Sequence, residues 1–331
     1  MRSRLAFAAL ALAVAAPAPR STDPGAGPFL NALRLVQRHG TPEAVSPKND
    51  QETKALLFKA LGKDGVLTAS ACSRLFDAQT FARLAGPDGR LDPLEVNAKV
   101  QADIPAARAG LFPSVRNYGD MITTSFDMID EVHREAGGKL AGWVAANYKE
   151  GRPLHIIVVC TGNSRRSVLG AALGNIAADY YGLSEIRFHS GGTAPTALNA
   201  RAAAALEAIG VEVMKTSVEA PRGEPKTANP IHEIRWGGGP GMSAREFSKR
   251  YSDPSNPQSG FAALMVCSEA DAACPFVKGA SARISTPYLD PKLFDASPFE
   301  AEKYAERRDD IGRLLFSVML QARHRLEAIQ P

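Results

Sequence analysis

Short apolar runs alternate with segments of helical period in the C-terminal half of the chain. The segment LHIIVVC, residues 154–160, is a continuous apolar run rich in β-branched residues, which is typical of a strand buried on both faces. The next segment keeps apolar residues at helical spacing as far as Tyr180, and Gly182 is placed to end that helix. Further strand-like segments follow, with helical segments between and after them: EIRFHS, VEVM, FAALMVC and ARIS. This alternation predicts an α/β fold with a parallel sheet covered by helices on both sides.

The rest of the chain has weaker patterns. Residues 31–117 alternate short helical segments with glycine and proline breakers, which predicts a small helical region of unknown role. Between residues 118 and 148 the apolar positions predict two helices, broken at Gly137 and Gly138. Residues 215–260 have no clear period and predict an irregular insertion, long for such a fold. We therefore predict one domain over residues 118–331, with a helical lead-in and this insertion.

The first residues have the three-part pattern of a secretory signal peptide. Arg2 and Arg4 precede twelve apolar residues, 5–16, and small residues and prolines follow them. We predict a signal peptide at residues 1–18, with its cleavage site left open, and a linker at residues 19–30. Twelve apolar residues are too few to span a bilayer. We expect an exported, periplasmic protein without stable membrane insertion.

Composition and charge narrow the range of partners. A chain of 331 residues with 45% hydrophobic residues can bury a sizeable core. The net charge of +4 is spread without long runs of like charge, so we expect no nucleic-acid partner and regard small anions as the more natural ligands. Four cysteines are too few for a disulfide scaffold in so long a chain, so their positions matter more than their number.

The segment VVCTGNSRRS, residues 158–167, concentrates candidate chemistry where the first strand should end and a helix begin. Backbone N–H groups at such a helix N-terminus converge on an anion. Arg166 supplies a planar fork that matches a tetrahedral oxyanion. A cysteine at a helix N-terminus beside an arginine is readily a thiolate at neutral pH, so we predict Cys160 as a nucleophile. The remaining members of the predicted oxyanion-binding loop are Thr161, Gly162, Asn163, Ser164, Arg165 and Ser167.

Three of these loop residues have an expected structural part. Gly162 lets the backbone turn tightly, and Asn163 ties the loop to itself by side-chain hydrogen bonds. Ser167 begins the helix as a capping hydroxyl. Arg165 has no assigned role beyond that of a solvated charge that supports anion capture. No metal site is predicted.

The spacing of Cys160 and Arg166 resembles the CX5R signature of the low-molecular-weight phosphotyrosine phosphatases and the related thioredoxin-coupled arsenate reductases. The resemblance extends over roughly residues 153–325 through three further segments: FHSGGTAPTALNARAAAALEAIGVEV, YLDPKLF and, closest to the reductase branch, VCSEADAACPFVKGASARI. It implies a three-layer domain with a four-stranded parallel sheet. It also implies Asp290 as the acid that protonates the leaving oxygen, with Asp295 as a nearby competitor.

The two branches differ in how the covalent intermediate is resolved. In the reductases, a cysteine pair shuttles electrons, and the resemblance gives this part to Cys267 and Cys274, with an external thiol reductant such as thioredoxin and no other cofactor. A phosphatase needs neither thiol, because water hydrolyses its phosphocysteine. In an exported protein the pair has another reading, a structural disulfide.

Three departures weigh against the reductase branch. Ala171 replaces a glutamate near a cation site, STPYL replaces the aromatic residues before Asp290, and the insertion is foreign to compact reductases. Trp236 and Tyr251 in the insertion are candidates for the aromatic cleft mouth of a phosphotyrosine phosphatase. The cysteine spacing favours arsenate reduction, and phosphomonoester hydrolysis is the alternative. A third hypothesis is an exported oxyanion-binding or docking module without catalysis.

Overall fold

A computed structural model of the chain describes residues 28–63, 65–85, 87–93, 96, 106–223 and 226–328. The predicted signal peptide, residues 1–18, and most of the predicted linker lie outside the described residues. Within the described part of the chain, no helix has the length and apolar character needed to cross a membrane.

The first part of the chain, up to residue 96, builds a hydrophobic core of its own. Its elements are α1 (Pro28–His39), α2 (Asp50–Ala60), β1 (Leu67–Thr68), α3 (Ala69–Cys72), α4 (Ala78–Leu84) and β2 (Arg90–Leu91). β1 and β2 pair antiparallel, with Leu67 opposite Leu91. Cys72 is buried in this core, and its burial raises the pKa of the thiol to about 11, as for an unreactive packing residue.

Three helices lead into the larger unit: α5 (Ala106–Gly110), α6 (Pro113–Ile122) and α7 (Glu131–Asn147). The predicted helix break at Gly137 and Gly138 is wrong, because both glycines lie inside α7 and the chain turns before it instead. A Cβ atom on Gly137 would lie 2.7 Å from a methyl carbon of Leu314. Gly137 therefore serves close helix packing and does not end a helix.

The larger unit is built on a four-stranded, all-parallel sheet in the order β4-β3-β8-β9. Its strands are β3 (Leu154–Cys160), β4 (Ile186–Gly192), β8 (Phe261–Met265) and β9 (Ala280–Ser285). The helices that connect or follow them are α8 (Arg166–Tyr180), α9 (Ala200–Glu207), α10 (Ser268–Ala273) and α11 (Glu300–Glu327). The prediction of an α/β fold with a four-stranded parallel sheet is thus confirmed.

Helix α8 is buried along its whole length because it packs against both the sheet and α11. Gly174 lets α8 approach β4, since a Cβ atom there would lie 2.3 Å from the Phe188 ring. Gly182 has φ 72° just beyond the helix, the left-handed conformation predicted for its end. The two central strands, β3 and β8, run in the same direction, so their carboxyl ends lie side by side. The N-terminus of α8 follows the end of β3 at this position.

The sequence predicted an irregular insertion at residues 215–260, and this prediction is wrong. Strands β5 (Glu212–Glu219), β6 (Pro230–Arg235) and β7 (Ser243–Glu246) form a separate antiparallel sheet in the order β5-β6-β7. The predicted strand VEVM, residues 211–214, falls at the start of β5, but in this antiparallel sheet and not in the parallel one. Most side chains of β5 are exposed, so no apolar alternation reveals the rest of the strand. From β7 the chain runs back to the edge of the parallel sheet, where Tyr251 N–H donates to the Gly192 carbonyl.

Candidate functional site

The loop between β3 and α8 is fixed by its carbonyl groups, which leaves its N–H groups available. The carbonyls of Cys160, Thr161, Gly162 and Ser164 accept hydrogen bonds from residues 193–199, at 2.9–3.1 Å. Within the described residues, no protein acceptor is bonded to the backbone N–H groups of residues 162–165. These donors lie at the N-terminus of a fifteen-residue helix, where an anion is favoured.

Asn163, and not Gly162, supplies the left-handed turn of the loop. Asn163 has φ 44° and is fully buried. Its Nδ2 donates to the hydroxyl groups of Ser167 at 2.9 Å and Ser190 at 2.7 Å, and its Oδ1 accepts from the Lys249 N–H at 2.8 Å. Gly162 instead allows Thr196 to approach the loop closely, because a Cβ atom at this position would lie 3.3 Å from Thr196 Oγ1.

Ser167 is directed at the thiol and does not cap the helix. Its Oγ lies 3.1 Å from Cys160 Sγ, whereas the capping position is occupied by Arg165, without a side-chain cap. Both Cys160 and Ser167 are buried. The predicted nucleophile therefore lies at the base of the loop, with a hydroxyl group against its sulfur.

Arg166 joins the loop to the segment that carries Asp290. Its Nη1 donates to the Tyr288 carbonyl and its Nη2 to Asp290 Oδ2, both at 2.7 Å. Its buried Nε has no hydrogen-bond partner among the described residues. Asp290 also accepts from the Lys292 N–H, as the N-cap of the 3-10 helix Pro291–Phe294. An oxyanion bound in the loop would find the Nε of Arg166 unused and would compete with Asp290 for Nη2.

A second carboxylate at this position was not predicted from the sequence. Glu269 Oε2 lies 4.0 Å from Arg166 Nη1, and the side chain is 66% exposed. A hydrogen bond from its own backbone N–H, together with the charge of Arg166, holds the pKa of Glu269 below its usual range. Glu269 thus adds negative charge at the rim of the loop.

Arg165 is an anchored residue, where the sequence predicted a solvated charge. Its Nε donates to Tyr304 Oη at 2.6 Å, and its Nη2 lies 3.2 Å from Asp295 Oδ2. Tyr304 Oη in turn donates to Asp295 Oδ1 at 2.8 Å. Asp295 is thus bonded to Arg165 and Tyr304, whereas Asp290 pairs with Arg166.

Cys267 follows the strand next to that of Cys160. The strands pair in parallel up to Val159 and Met265, and the Val266 N–H donates to the Val159 carbonyl. Cys267 Sγ lies 3.5 Å from Thr161 Oγ1 and accepts from the Ala270 N–H. Burial raises the pKa of the Cys267 thiol, although the hydrogen bonds with Thr161 and Ala270 and the charge of Arg166 oppose this rise. Cys160 therefore ends β3, and Cys267 lies just beyond the end of the adjacent strand β8.

Cys274 lies at the far end of α10, which begins after Cys267. Cys274 is partly exposed, and all four cysteines are free thiols. Seven residues of helix rise about 10 Å, whereas a disulfide needs Cα atoms within about 7 Å. A bond between Cys267 and Cys274 therefore requires α10 to unwind.

The two aromatic candidates for the cleft mouth lie in different places. Trp236 is 1% exposed and donates from Nε1 to the buried Asp179 at 2.7 Å, so it anchors the insertion and does not line a mouth. Tyr251 packs against the backbone of Gly191, and its pKa is raised by burial and by Cys274. Near the Asp290 segment, exposed apolar side chains occupy positions that the sequence reasoning did not select: Leu289 at 56% and Leu293 at 69%.

Comparison of the chain with models of known protein families gives no match, and comparison with curated proteins gives no significant match.

Proposed function

We propose that this chain is a cysteine-dependent enzyme of the low-molecular-weight phosphotyrosine phosphatase superfamily that reduces arsenate through three thiols. The proposal includes a three-layer arrangement of helices about the parallel sheet and an oxyanion held by the loop from Cys160 to Ser167. It is supported by the unbonded N–H groups of residues 162–165 and by the free Nε of Arg166.

In the first step, the Cys160 thiolate attacks the arsenic atom and forms a sulfur–arsenic bond. The leaving oxygen departs as water after it takes a proton from Asp290. The loop N–H groups and Arg166 stabilise the negative charge on the remaining oxygens. In the free protein the ion pair with Arg166 keeps Asp290 beside the anion site. The bound oxyanion displaces Asp290 from Arg166 Nη2, and Asp290 then takes up from solvent the proton that it gives to the leaving oxygen.

The observation that carries the reductase reading is the position of Cys267 beside the nucleophile loop. The Cys267 thiolate attacks the sulfur of Cys160, a Cys160–Cys267 disulfide forms, and the electron pair of the sulfur–arsenic bond passes to arsenic, which leaves as arsenite. Cys274 then attacks Cys267 and releases Cys160 as a thiolate. Two thiols are thereby oxidised for each two-electron reduction of arsenate.

The second exchange explains the exposure of Cys274. Unwinding of the short helix α10 brings Cys274 to Cys267, and an external dithiol of the thioredoxin type then reduces the resulting disulfide. The helix has six residues and is held to β9 by Arg283, which donates to Asp271 and to the Cys274 carbonyl, so its unwinding breaks these contacts. An exported protein would require a periplasmic reductant for this step.

A single-turnover experiment tests the relay without a physiological reductant. Reduced protein is mixed with arsenate, and arsenite and remaining thiols are counted. We expect one arsenite formed and two thiols lost per chain. Cys267→Ser and Cys274→Ser should each abolish repeated turnover with a dithiol, while Cys72→Ser, in the separate N-terminal core, serves as the matched control. Full arsenate turnover by Cys267→Ser would refute the relay.

Phosphomonoester hydrolysis is the second candidate, favoured by the exposed Leu289 and Leu293 that flank Asp290 in sequence. Apolar side chains there would suit an aryl group of the substrate. In that case an aryl phosphate is hydrolysed at equal rates by the wild-type protein and by Cys267→Ser, but not by Cys160→Ser. Phosphate binding without either activity would indicate the third hypothesis, a non-catalytic oxyanion-binding module.

A further inference from the structure

Helix α10 separates Cys267 from Cys274 and is held at both of its ends. At its N-terminus, the sulfur of Cys267 accepts a hydrogen bond from the Ala270 N–H at 3.4 Å, as the N-cap of the helix. Six residues are too few for a helix that is stable by itself in water. The contacts at its ends therefore decide how much of the time α10 is folded.

Arg283, on strand β9, occupies the C-terminus of α10. Its Nε donates to the Cys274 carbonyl at 2.9 Å, and its Nη2 donates to the Asp271 carbonyl at 2.6 Å. In a longer helix the Asp271 carbonyl would accept from residue 275, but Pro275 has no N–H. Arg283 therefore supplies, from a neighbouring strand, hydrogen bonds that the helix cannot make itself, and its positive charge is favoured at a helix C-terminus.

The side chain of Asp271 fixes the position of Arg283. Asp271 Oδ1 accepts from Arg283 Nη2 at 2.5 Å, and Asp271 Oδ2 accepts from Ser285 Oγ at 2.8 Å. Arg283 and Ser285 lie two residues apart on β9, so their side chains leave the same face of the sheet. Among the described residues no backbone hydrogen bond joins α10 to β9, so these side-chain bonds are the polar attachment of the helix to the strand.

We propose that Arg283, with Asp271 and Ser285, forms a clamp that keeps α10 folded and thereby limits the rate at which Cys274 reaches Cys267. The inference deepens the proposed function and rests on it only in taking these two cysteines as exchange partners. A disulfide between them requires the C-terminal end of α10 to move, and the carbonyl of Cys274 itself is bonded to Arg283. Arg283 acts through the helix and is therefore a positioning residue.

The clamp and the N-cap respond differently to the proposed relay. When Cys267 forms a disulfide with Cys160, its sulfur is drawn toward that residue and is no longer a thiolate, so its hydrogen bond from the Ala270 N–H weakens. The clamp remains until α10 unwinds. The Cys274 thiolate then attacks the Cys267 sulfur, a Cys267–Cys274 disulfide forms, and Cys160 leaves as a thiolate. Arg283 thus controls the rate of the step that regenerates the nucleophile.

The rate of disulfide formation between Cys267 and Cys274 tests the clamp without arsenate. The parent is the full-length Cys160→Ser protein, so that Cys160 does not compete, and Cys72 lies in the separate N-terminal core. The oxidant is diamide, which takes two electrons and two protons from the thiol pair and is reduced to its hydrazine. The disulfide is quantified by peptide mass spectrometry under non-reducing conditions.

Arg283→Met removes every donor of Arg283 to α10 and should form the disulfide at least about tenfold faster than the parent. Asp271→Asn weakens the ion pair but keeps both backbone acceptors, so we expect about a threefold increase. The control is Lys278→Met, which removes an exposed cation between α10 and β9 and should match the parent. Equal rates for Arg283→Met and the parent, or an equal increase in Lys278→Met, would overturn the inference. If Arg283→Met does not fold, Asp271→Ala replaces it: an increase of about threefold supports the clamp, and the parental rate refutes it.

Urea distinguishes the opening of α10 from a general loss of stability. Opening six residues exposes little surface, so the rate of disulfide formation in Arg283→Met should change little with urea below the unfolding transition. A rate that rises steeply with urea would mean that the cysteines meet only when the whole domain unfolds, and the clamp would then be refuted.

Oxidation by diamide requires no substrate, so this result is independent of the reaction proposed above. A protein in which Arg283→Met speeds the disulfide, but which does not reduce arsenate, would keep the clamp and refute the proposed function. A protein that reduces arsenate, with equal disulfide rates in Arg283→Met and the parent, would do the reverse.

Discussion

Replacing Trp236 with phenylalanine should destabilise the fold and leave substrate binding intact. The indole N–H is a buried donor to Asp179, whose carboxylate is 1% exposed. Among the described residues this carboxylate has one other side-chain partner, Arg187 at 3.3 Å. Trp236 also ties the insertion to the helical lead-in, because its carbonyl accepts from the Phe112 N–H. The substitution therefore removes a hydrogen bond to a buried charge while most of the ring volume remains.

The magnitude follows from two losses. A hydrogen bond to a charged group contributes about 1.5–3 kcal/mol, and the smaller ring leaves a cavity worth about 1 kcal/mol. We expect the free energy of unfolding to fall by about 3 kcal/mol in total. Trp143 gives a matched control, because its indole N–H donates to Ser281 at a more exposed position, where Trp143→Phe should cost less than about 1 kcal/mol.

Urea unfolding followed by far-ultraviolet circular dichroism measures both variants without relying on tryptophan fluorescence. In parallel, KM for arsenate and for an aryl phosphate should change less than about twofold in Trp236→Phe, because the side chain is remote from solvent. A rise in KM of tenfold with an unchanged free energy of unfolding would refute this reasoning. That outcome would return Trp236 to the cleft mouth.

Three further predictions concern the site and its surroundings. Asp290→Asn should lower kcat by about 100-fold or more, measured with a substrate whose leaving group needs a proton, and should spare an aryl phosphate with a good leaving group. Arg165→Met, which releases the loop from Asp295, should weaken competitive inhibition by inorganic phosphate about tenfold; an unchanged inhibition constant would contradict its anchoring role. Burial, then the charge of His155, lowers the pKa of His189 to about 4 from about 6.5 in the unfolded chain. The folded state then binds fewer protons, so this contribution to stability is complete above pH 6.5 and is lost as the pH falls through 4. In the wild-type protein the free energy of unfolding should therefore fall as the pH is lowered from 6.5 to 4. His189→Asn should make this fall smaller by up to about 3 kcal/mol, measured by urea unfolding at a series of pH values.

The parallel sheet was predictable because its signal is local. A continuous apolar run such as residues 154–160 and the helical spacing that follows it are both read within about twenty residues. Beyond the short segment 211–214, the strands of the insertion gave no such signal, because most side chains of residues 212–219 face solvent. Gly137 was misread because close packing and helix termination both favour glycine, and only the position of Leu314 distinguishes them.

The residues of the site that are close in sequence were also predictable, and those brought together from distant parts of the chain were not. Cys160 and Arg166 belong to one short segment, and their spacing alone indicates an anion-binding loop. Ser190 and Lys249 could not be associated with it, because their contacts with Asn163 span 27 and 86 residues of chain. Arg165 has charged and phenolic partners more than 100 residues downstream, so its sequence neighbours suggest only a surface charge.

The contacts between the loop and the insertion have a consequence for the order of folding. Gly162 is bonded to Ser248, and Asn163 to Lys249, each across 86 residues. Contacts of such sequence separation form late, since a long segment must be ordered before they exist. The helices and the first strand pair can form before the insertion docks, but the buried amide oxygen of Asn163 has its partner, the Lys249 N–H, only afterwards. Recovery of Cys160 reactivity after dilution from urea should therefore lag behind the recovery of secondary structure. The nucleophile then reaches its native reactivity only after the insertion has docked.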